Sequence, residues 1–147
     1  MNMYPKFLDG ANYVDDRGSL KFFNNLDLSF WKRFYLVENH RQGFIRAWHG
    51  HKNEHKLIIP ISGVTLVGAV HIDDWSEPSK KLDVNKFIMS SHDPKPLLIP
   101  NGYANGFKNL TSDSSLLIFS SSSLSESQND DYRYDWNYWD CWEENFR

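Results

Sequence analysis

Short apolar runs broken by turn residues are the feature that most limits what this chain can fold into. RFYLVEN, GFIRAWH, HKLIIPISG, VTLVGAVHI, NKFIMSS, PLLIPNG and SSLLIFSSS follow one another, bordered by Gly, Pro, Asn, Asp or Ser. Within them apolar residues alternate or cluster over a few positions, the period of strands rather than of helices. Long helical periodicity is scarce, and NNLDLSFWKR is expected to give at most a short helix or a turn. The pattern predicts an all-β, antiparallel sandwich or barrel. A length of 147 residues suits one domain, taken as 1–147. The polar run 120–131 is expected to be a surface loop. The aromatic segment 132–147 is too rich in rings to stay solvated, and should pack on the barrel, on a pocket rim or on another subunit.

Charge and cysteine content exclude several classes of function. Sixteen basic against nineteen acidic residues give a net charge of -3, which argues against a nucleic-acid or polyanion binder. The lone cysteine, Cys141, has no internal disulfide partner, which fits a reducing cytoplasm. MNMYPKFLDG lacks the features of a signal peptide, and no apolar stretch approaches the roughly 20 residues of a membrane-spanning helix. The expectation is a soluble cytoplasmic protein. Its many rings, six Trp, seven Tyr and ten Phe, suit a β-rich core, and some are free to stack on a ligand.

The stretch RAWHGHKNEHK, 46–56, concentrates ionisable groups. Alternation along a strand puts His49 and His51 on one face. From Gly43 through His49, His51 and Lys56 to Gly63, the spacing is that of the first cupin motif, G(X)5HXH(X)3-4E(X)6G. Pro100, Gly102, Asn105 and Asn109 reproduce the second, PXG(X)2H(X)3N. The chain thus resembles the cupins, which implies a jelly-roll β-barrel. In metal-binding cupins the glutamate slot and the second-motif histidine complete the ligand set; here they hold Lys56 and Asn105. A cationic lysine repels a divalent ion and Asn is a poor ligand for Zn or Fe. Glu54 and His55 sit out of register or on the opposite face, so no metal and no cofactor are expected. A metal cupin built on His49, His51 and His55 is the least favoured alternative.

A His pair beside a lysine suits proton abstraction next to a ketone, which needs a base near the carbon and positive charge near the developing oxyanion. His49 is the candidate base, with Lys56 or Arg46 as the electrostatic partner. The competing reading is a pair of satisfied polar residues in a wide cavity.

These residues resemble cupin-fold enzymes acting on dTDP-4-keto-6-deoxyhexoses: dTDP-4-dehydrorhamnose 3,5-epimerase and the dTDP-sugar 3,4-ketoisomerases. DDRGSL, 15–20, is similar to the family's D-x-R-G-x-L/F signature, which implies a nucleotide-binding role for Arg17. IRAWHGH followed by HKL resembles the epimerase stretch, placing His49 on its base, Lys56 on its lysine and Arg46 on its substrate-binding arginine. IPNGYANGF resembles its P-x-G-x-A-H-G-F, with Asn105 where a histidine is usual. The closing YDWNYW resembles the epimerase end, where a carboxylate orients the base, and makes Asp135 and Asp140 candidates. KRFYLV and the H-x-H pair resemble the ketoisomerases instead; there His49 and His51 shuttle protons and Tyr35 lies near the sugar. The epimerase tyrosine has no counterpart in LLIF, 116–119, so Tyr35, His51 or Tyr103 would have to supply its proton. His71 stands where the V-x-V-D strand ends in an acid. The resemblance implies an epimerase on a dTDP-linked 4-keto-6-deoxysugar, slightly favoured over a ketoisomerase, with a non-catalytic sugar-nucleotide binder as the third reading. It also implies a homodimer.

Overall fold

The computed structural model describes residues 3–143. Two five-stranded antiparallel sheets face each other. The first runs, in spatial order, β1 (Lys6–Phe7), β9 (Leu97–Ile99), β6 (Lys56–Ser62), β11 (Ser114–Ser120) and β4 (Arg33–Asn39). The second runs β12 (Tyr132–Arg133), β5 (Ile45–His51), β10 (Tyr103–Asn109), β7 (Val64–His71) and β8 (Asn85–Ser90). A separate hairpin, β2 (Ala11–Asp15) with β3 (Gly18–Phe22), joins neither sheet. The seven apolar runs became seven of these strands, as alternation predicts. This is the expected jelly-roll architecture.

Side chains from the inner faces, among them Ile58, Val67, Met89, Leu97, Leu116 and Ile118, form one core between the sheets. A second cluster lies outside the second sheet. There the fully buried Trp48, with Leu66 and Val70, is covered by Trp139, Cys141 and Trp142 from the tail. Trp48 donates its indole N–H to the Trp136 carbonyl at 3.1 Å and stacks 5.0 Å from Trp142. The aromatic tail therefore packs on the back of the sheet and does not roof the cavity; residues 144–147 lie outside the described region. Glycines make this closeness possible. A Cβ on Gly68 would come within 2.7 Å of the Trp48 ring. The outer face of the first sheet is open in part by contrast: Leu57 and Ile59 are buried, but Phe34, Leu36 and Ile61 are 64%, 61% and 46% exposed.

Of two local expectations, one holds and one changes. NNLDLSFWKR holds one turn of 3-10 helix, Leu28–Phe30, capped by the Asp27 carboxylate accepting from the Ser29 N–H at 3.0 Å. The run 120–131 is not a simple surface loop. It contains α1 (Leu124–Gln128), closed by a Ser123–Glu126 capping box, and buries Ser120, Ser122, Ser127 and Asp130. Polarity there serves internal hydrogen bonds rather than water.

Candidate active site

A cavity of about 330 Å³ opens between the two sheets. From the second sheet, β5 contributes Arg46, His49 and His51, and β10 contributes Asn105; from the first, β4 contributes Tyr35 and β6 contributes Lys56. Arg46 and His49 are three residues apart, so plain alternation would point them to opposite faces. A bulge resolves this. Asn105 pairs with His49 but Phe107 with Arg46, so three residues of β5 span two of β10 and Arg46 is returned to the cavity side.

His51 has a close polar neighbour at each ring nitrogen. Its Nδ1 lies 2.7 Å from the Asp130 carbonyl oxygen and its Nε2 lies 3.2 Å from Glu54 Oε2. Glu54 Oε1 accepts from the Ser120 hydroxyl at 2.5 Å and from Arg33 at 3.4 Å. The Asp130 carboxylate accepts the backbone N–H groups of Lys52 (2.8 Å), Asn53 (2.8 Å) and Glu54 (3.3 Å), which fixes the β5–β6 turn. Lys56 donates to Asn105 Oδ1 at 3.3 Å, while Asn105 Nδ2 is buried without a partner. Arg46 donates to Asn39 Oδ1 at 2.7 Å. The His49 ring makes no hydrogen bond among the described residues.

Burial, with Lys56 and Arg133 nearby, lowers His49 to about 4, so its imidazole is neutral near pH 7. Burial also lowers Lys56 to about 8 against the pull of Glu54, leaving it mostly charged at pH 7. Tyr35 is pushed up to about 12, by burial and then by Glu54, and keeps its proton. Burial raises the Glu54 carboxyl, but the Ser120 hydroxyl and the charges of His51 and Lys56 outweigh it and hold it below the usual range. Four cationic side chains, Arg33, Arg46, Lys56 and Arg133, line the cavity against the carboxylates Glu54 and Asp131. That balance suits an anionic ligand. A neutral base beside a buried ammonium is the pairing that deprotonation next to a ketone requires.

Several residues singled out from sequence do not meet there. Arg17 sits at the β2–β3 turn in a salt bridge with Asp15 and lines a separate shallow cleft. Its charge is satisfied locally and nothing in this chain brings it to the cavity. Tyr103 and His71 pair across β10 and β7, rings 5.0 Å apart, off the cavity lining. Asp135 and Asp140 travel with the tail to the back of the second sheet: the Asp135 carbonyl accepts from the Tyr138 N–H, and the Asp140 carboxylate from the Trp142 N–H. Neither orients His49. Asp131 is the carboxylate that acts on it, by charge alone. Nor is Glu54 out of register. Strand parity does not extend through 52–55, which is turn, so Glu54 swings into the cavity wall. His55 faces away, its ring 5.5 Å from Phe30. Among the described residues no three His, Cys, Asp or Glu side chains are grouped to hold a metal ion.

Sequence reasoning missed Arg33, Asp131 and Arg133. Glu54 was visible inside HKNEHK; the others carried no motif, because Arg33 reaches the cavity from β4 of the opposite sheet, and Asp131 and Arg133 from the segment after α1.

The family model FdtA, described as WxcM-like, C-terminal, matches residues 3–141. The chain belongs to this family. Solved structures with the same fold include a dTDP-4-dehydrorhamnose 3,5-epimerase from Bacillus anthracis: 21% identity, 90% of this chain and 79% of that one, TM-score 0.74. A 3,4-ketoisomerase from Helicobacter canadensis shares 22% identity over 90% of this chain and 92% of its own, TM-score 0.69. The TDP-quinovose 3,4-ketoisomerase WlaRB of Campylobacter jejuni shares 22% over 88% and 92%, TM-score 0.66. No curated protein matches the sequence. Within the WxcM-like fold, His49, His51, Lys56 and Asn105 fall on the strands that carry the two cupin motifs, β5–β6 and β10.

Proposed function

We propose that this protein is an isomerase of a dTDP-linked 4-keto-6-deoxysugar, using His49 as its base. His49 takes the proton from C3, the C–H electron pair forms the C3=C4 bond, and the C4 oxygen becomes an enediolate facing Lys56. Moving the hydroxyl proton from O3 to O4 and returning a proton to C4 gives the 3-keto isomer. One base on one face performs this shift, whereas epimerisation needs a donor on the opposite face. The observation that carries the reading is His49 itself, neutral, facing the cavity and free of any described hydrogen-bond partner, while both nitrogens of His51 are engaged. The inward β11 positions, Leu116 and Ile118, are fully buried aliphatics and supply no acid. These features favour 3,4-ketoisomerisation. Epimerisation is the second reading, supported by Tyr35, a protonated phenol on the opposite sheet.

The test is proton NMR of dTDP-4-keto-6-deoxyglucose with the protein in heavy water. Deuterium entering the ring and absent with His49→Asn is the expected result, and the product spectrum separates the 3-keto isomer from an epimer. Binding without exchange would make the protein a sugar-nucleotide-binding module; neither would sink the ligand assignment.

A homodimer is part of the proposal. The unpaired hairpin exposes Tyr13, Val14 and Leu20, and the open part of the first sheet's outer face exposes Phe34 and Leu36. A second copy covering these surfaces would also give Arg17 a cavity to reach. Light scattering at twice the chain mass is expected. A buried free Cys141 fits the cytoplasm as the place of action.

A further inference from the structure

His51 is the most constrained group in the cavity wall, and its constraints specify a proton. The Asp130 carbonyl, 2.7 Å from Nδ1, can only accept, so Nδ1 carries a hydrogen. In a neutral ring that leaves a bare lone pair on Nε2. Yet Nε2 faces Glu54 Oε2 at 3.2 Å, with the two side chains 9% and 1% exposed. Two lone pairs would oppose each other there inside a buried wall. Glu54 Oε2 is buried and accepts no hydrogen bond, so its 3.2 Å approach to Nε2 is a contact at ion-pair distance. Its sister oxygen accepts from Ser120 and Arg33, contacts that favour an ionised carboxylate.

We propose that His51 and Glu54 hold one proton between them, so that His51 stands as an imidazolium tethered to Asp130 and Glu54, leaving His49 as the single base of the H-x-H pair. Glu54 is then a positioning residue. It touches no substrate, and it acts by setting the charge of His51. The catalytic consequence rests on the isomerase reading; the shared proton does not.

The surroundings pull in both directions. Burial, then Lys56 on β6, weigh against charge on His51 and on balance lower it, whereas Glu54 in the turn and Asp130 after α1 weigh for it. Arg33 on β4 adds positive charge beyond Glu54, and Asp131 adds negative charge from the segment after α1. The contact at Nε2 is what opposes that balance. Glu54 is in contact with Nε2, while the Lys56 ammonium is turned to Asn105.

The experiment is long-range 1H–15N spectroscopy of the full chain labelled at histidine, with His51→Gln for assignment. Both ring nitrogens of His51 are expected at protonated-type shifts up to about pH 8, well above the ordinary histidine midpoint of about 6.5. In Glu54→Gln the Nε2 signal is expected at the bare, pyridine-type position. A pyridine-type Nε2 in the wild type at pH 7 would overturn the proposal, and that measurement stands alone if Glu54→Gln does not fold. In turnover, Glu54→Gln is expected to lower kcat about 10–100-fold with little change in KM, and an unchanged kcat would remove the catalytic consequence. Absence of deuterium uptake by the wild type would count against the isomerase reading alone, because the ring-nitrogen spectra decide the proton either way.

Discussion

Lys56 on the first sheet donates to Asn105 on the second at 3.3 Å, a hydrogen bond that spans the cavity between two side chains 6% and 2% exposed. It turns a buried ammonium toward the place where negative charge would develop, and it leaves the Asn105 amide nitrogen unpaired for a ligand oxygen.

Replacing this lysine by methionine separates function from stability. Lys56→Met is expected to lower kcat ~10²–10³-fold, the usual loss when one oxyanion-stabilising group is removed. It should also stabilise the fold. With its folded value lowered to about 8 from 10.5, Lys56 binds its proton more weakly in the native state than in the unfolded one. The wild type should therefore gain stability on the variant as pH rises from about 8 to about 10.5, closing a gap of up to about 3 kcal/mol. Urea titrations of both proteins at pH 7 and pH 10 measure the gap; parallel curves would show that the ammonium carries no burial cost.

The pH profile of turnover should be broad. His49 must be neutral and Lys56 charged, so kcat/KM should fall below about pH 4 and above about pH 8. An acid limb near the ordinary histidine value of about 6.5 would mean that a different base does the work. His49→Asn should abolish exchange while leaving the melting temperature nearly unchanged, because one polar cavity residue replaces another.

Asp130 ties the segment after α1 to the β5–β6 turn through three backbone N–H groups. Asp130→Ala leaves these donors unmatched and should cost about 2–3 kcal/mol in denaturant unfolding. Because the same turn carries Glu54, turnover should fall as well.

Trp139 anchors the tail. Its ring lies 5.5 Å from Trp48 and 4.6 Å from Tyr138, and its indole N–H donates to the Ser79 carbonyl at 2.9 Å. Trp139→Ala should cost about 3–5 kcal/mol. A loss below about 1 kcal/mol would mean that the tail is not part of the cooperative fold.

Much of the barrel was legible because its strands announce themselves by period. RFYLVEN matches β4 (Arg33–Asn39) residue for residue, since every second position is turned inward and the turns around it are marked. β10 (Tyr103–Asn109) was read only as motif spacing. Its residues YANGFKN lack apolar alternation because they are chosen for other contacts. Asn105 meets Lys56, Asn109 donates to the Arg41 carbonyl, and a Cβ on Gly106 would crowd Ala47 and Trp142.

The sequence by itself determined the all-β architecture, the two cupin motifs with Lys56 and Asn105 in their slots, and the common face of His49 and His51. These follow from periodicity and spacing, which are local and survive in one dimension. Tertiary structure alone decided the rest. A bulge brought Arg46 inward; a turn, where strand parity lapses, delivered Glu54 to His51; the tail carried Asp135 and Asp140 to the back of the sheet. Each depends on which surface a segment buries, and a chain acquires that information only when its sheets have packed.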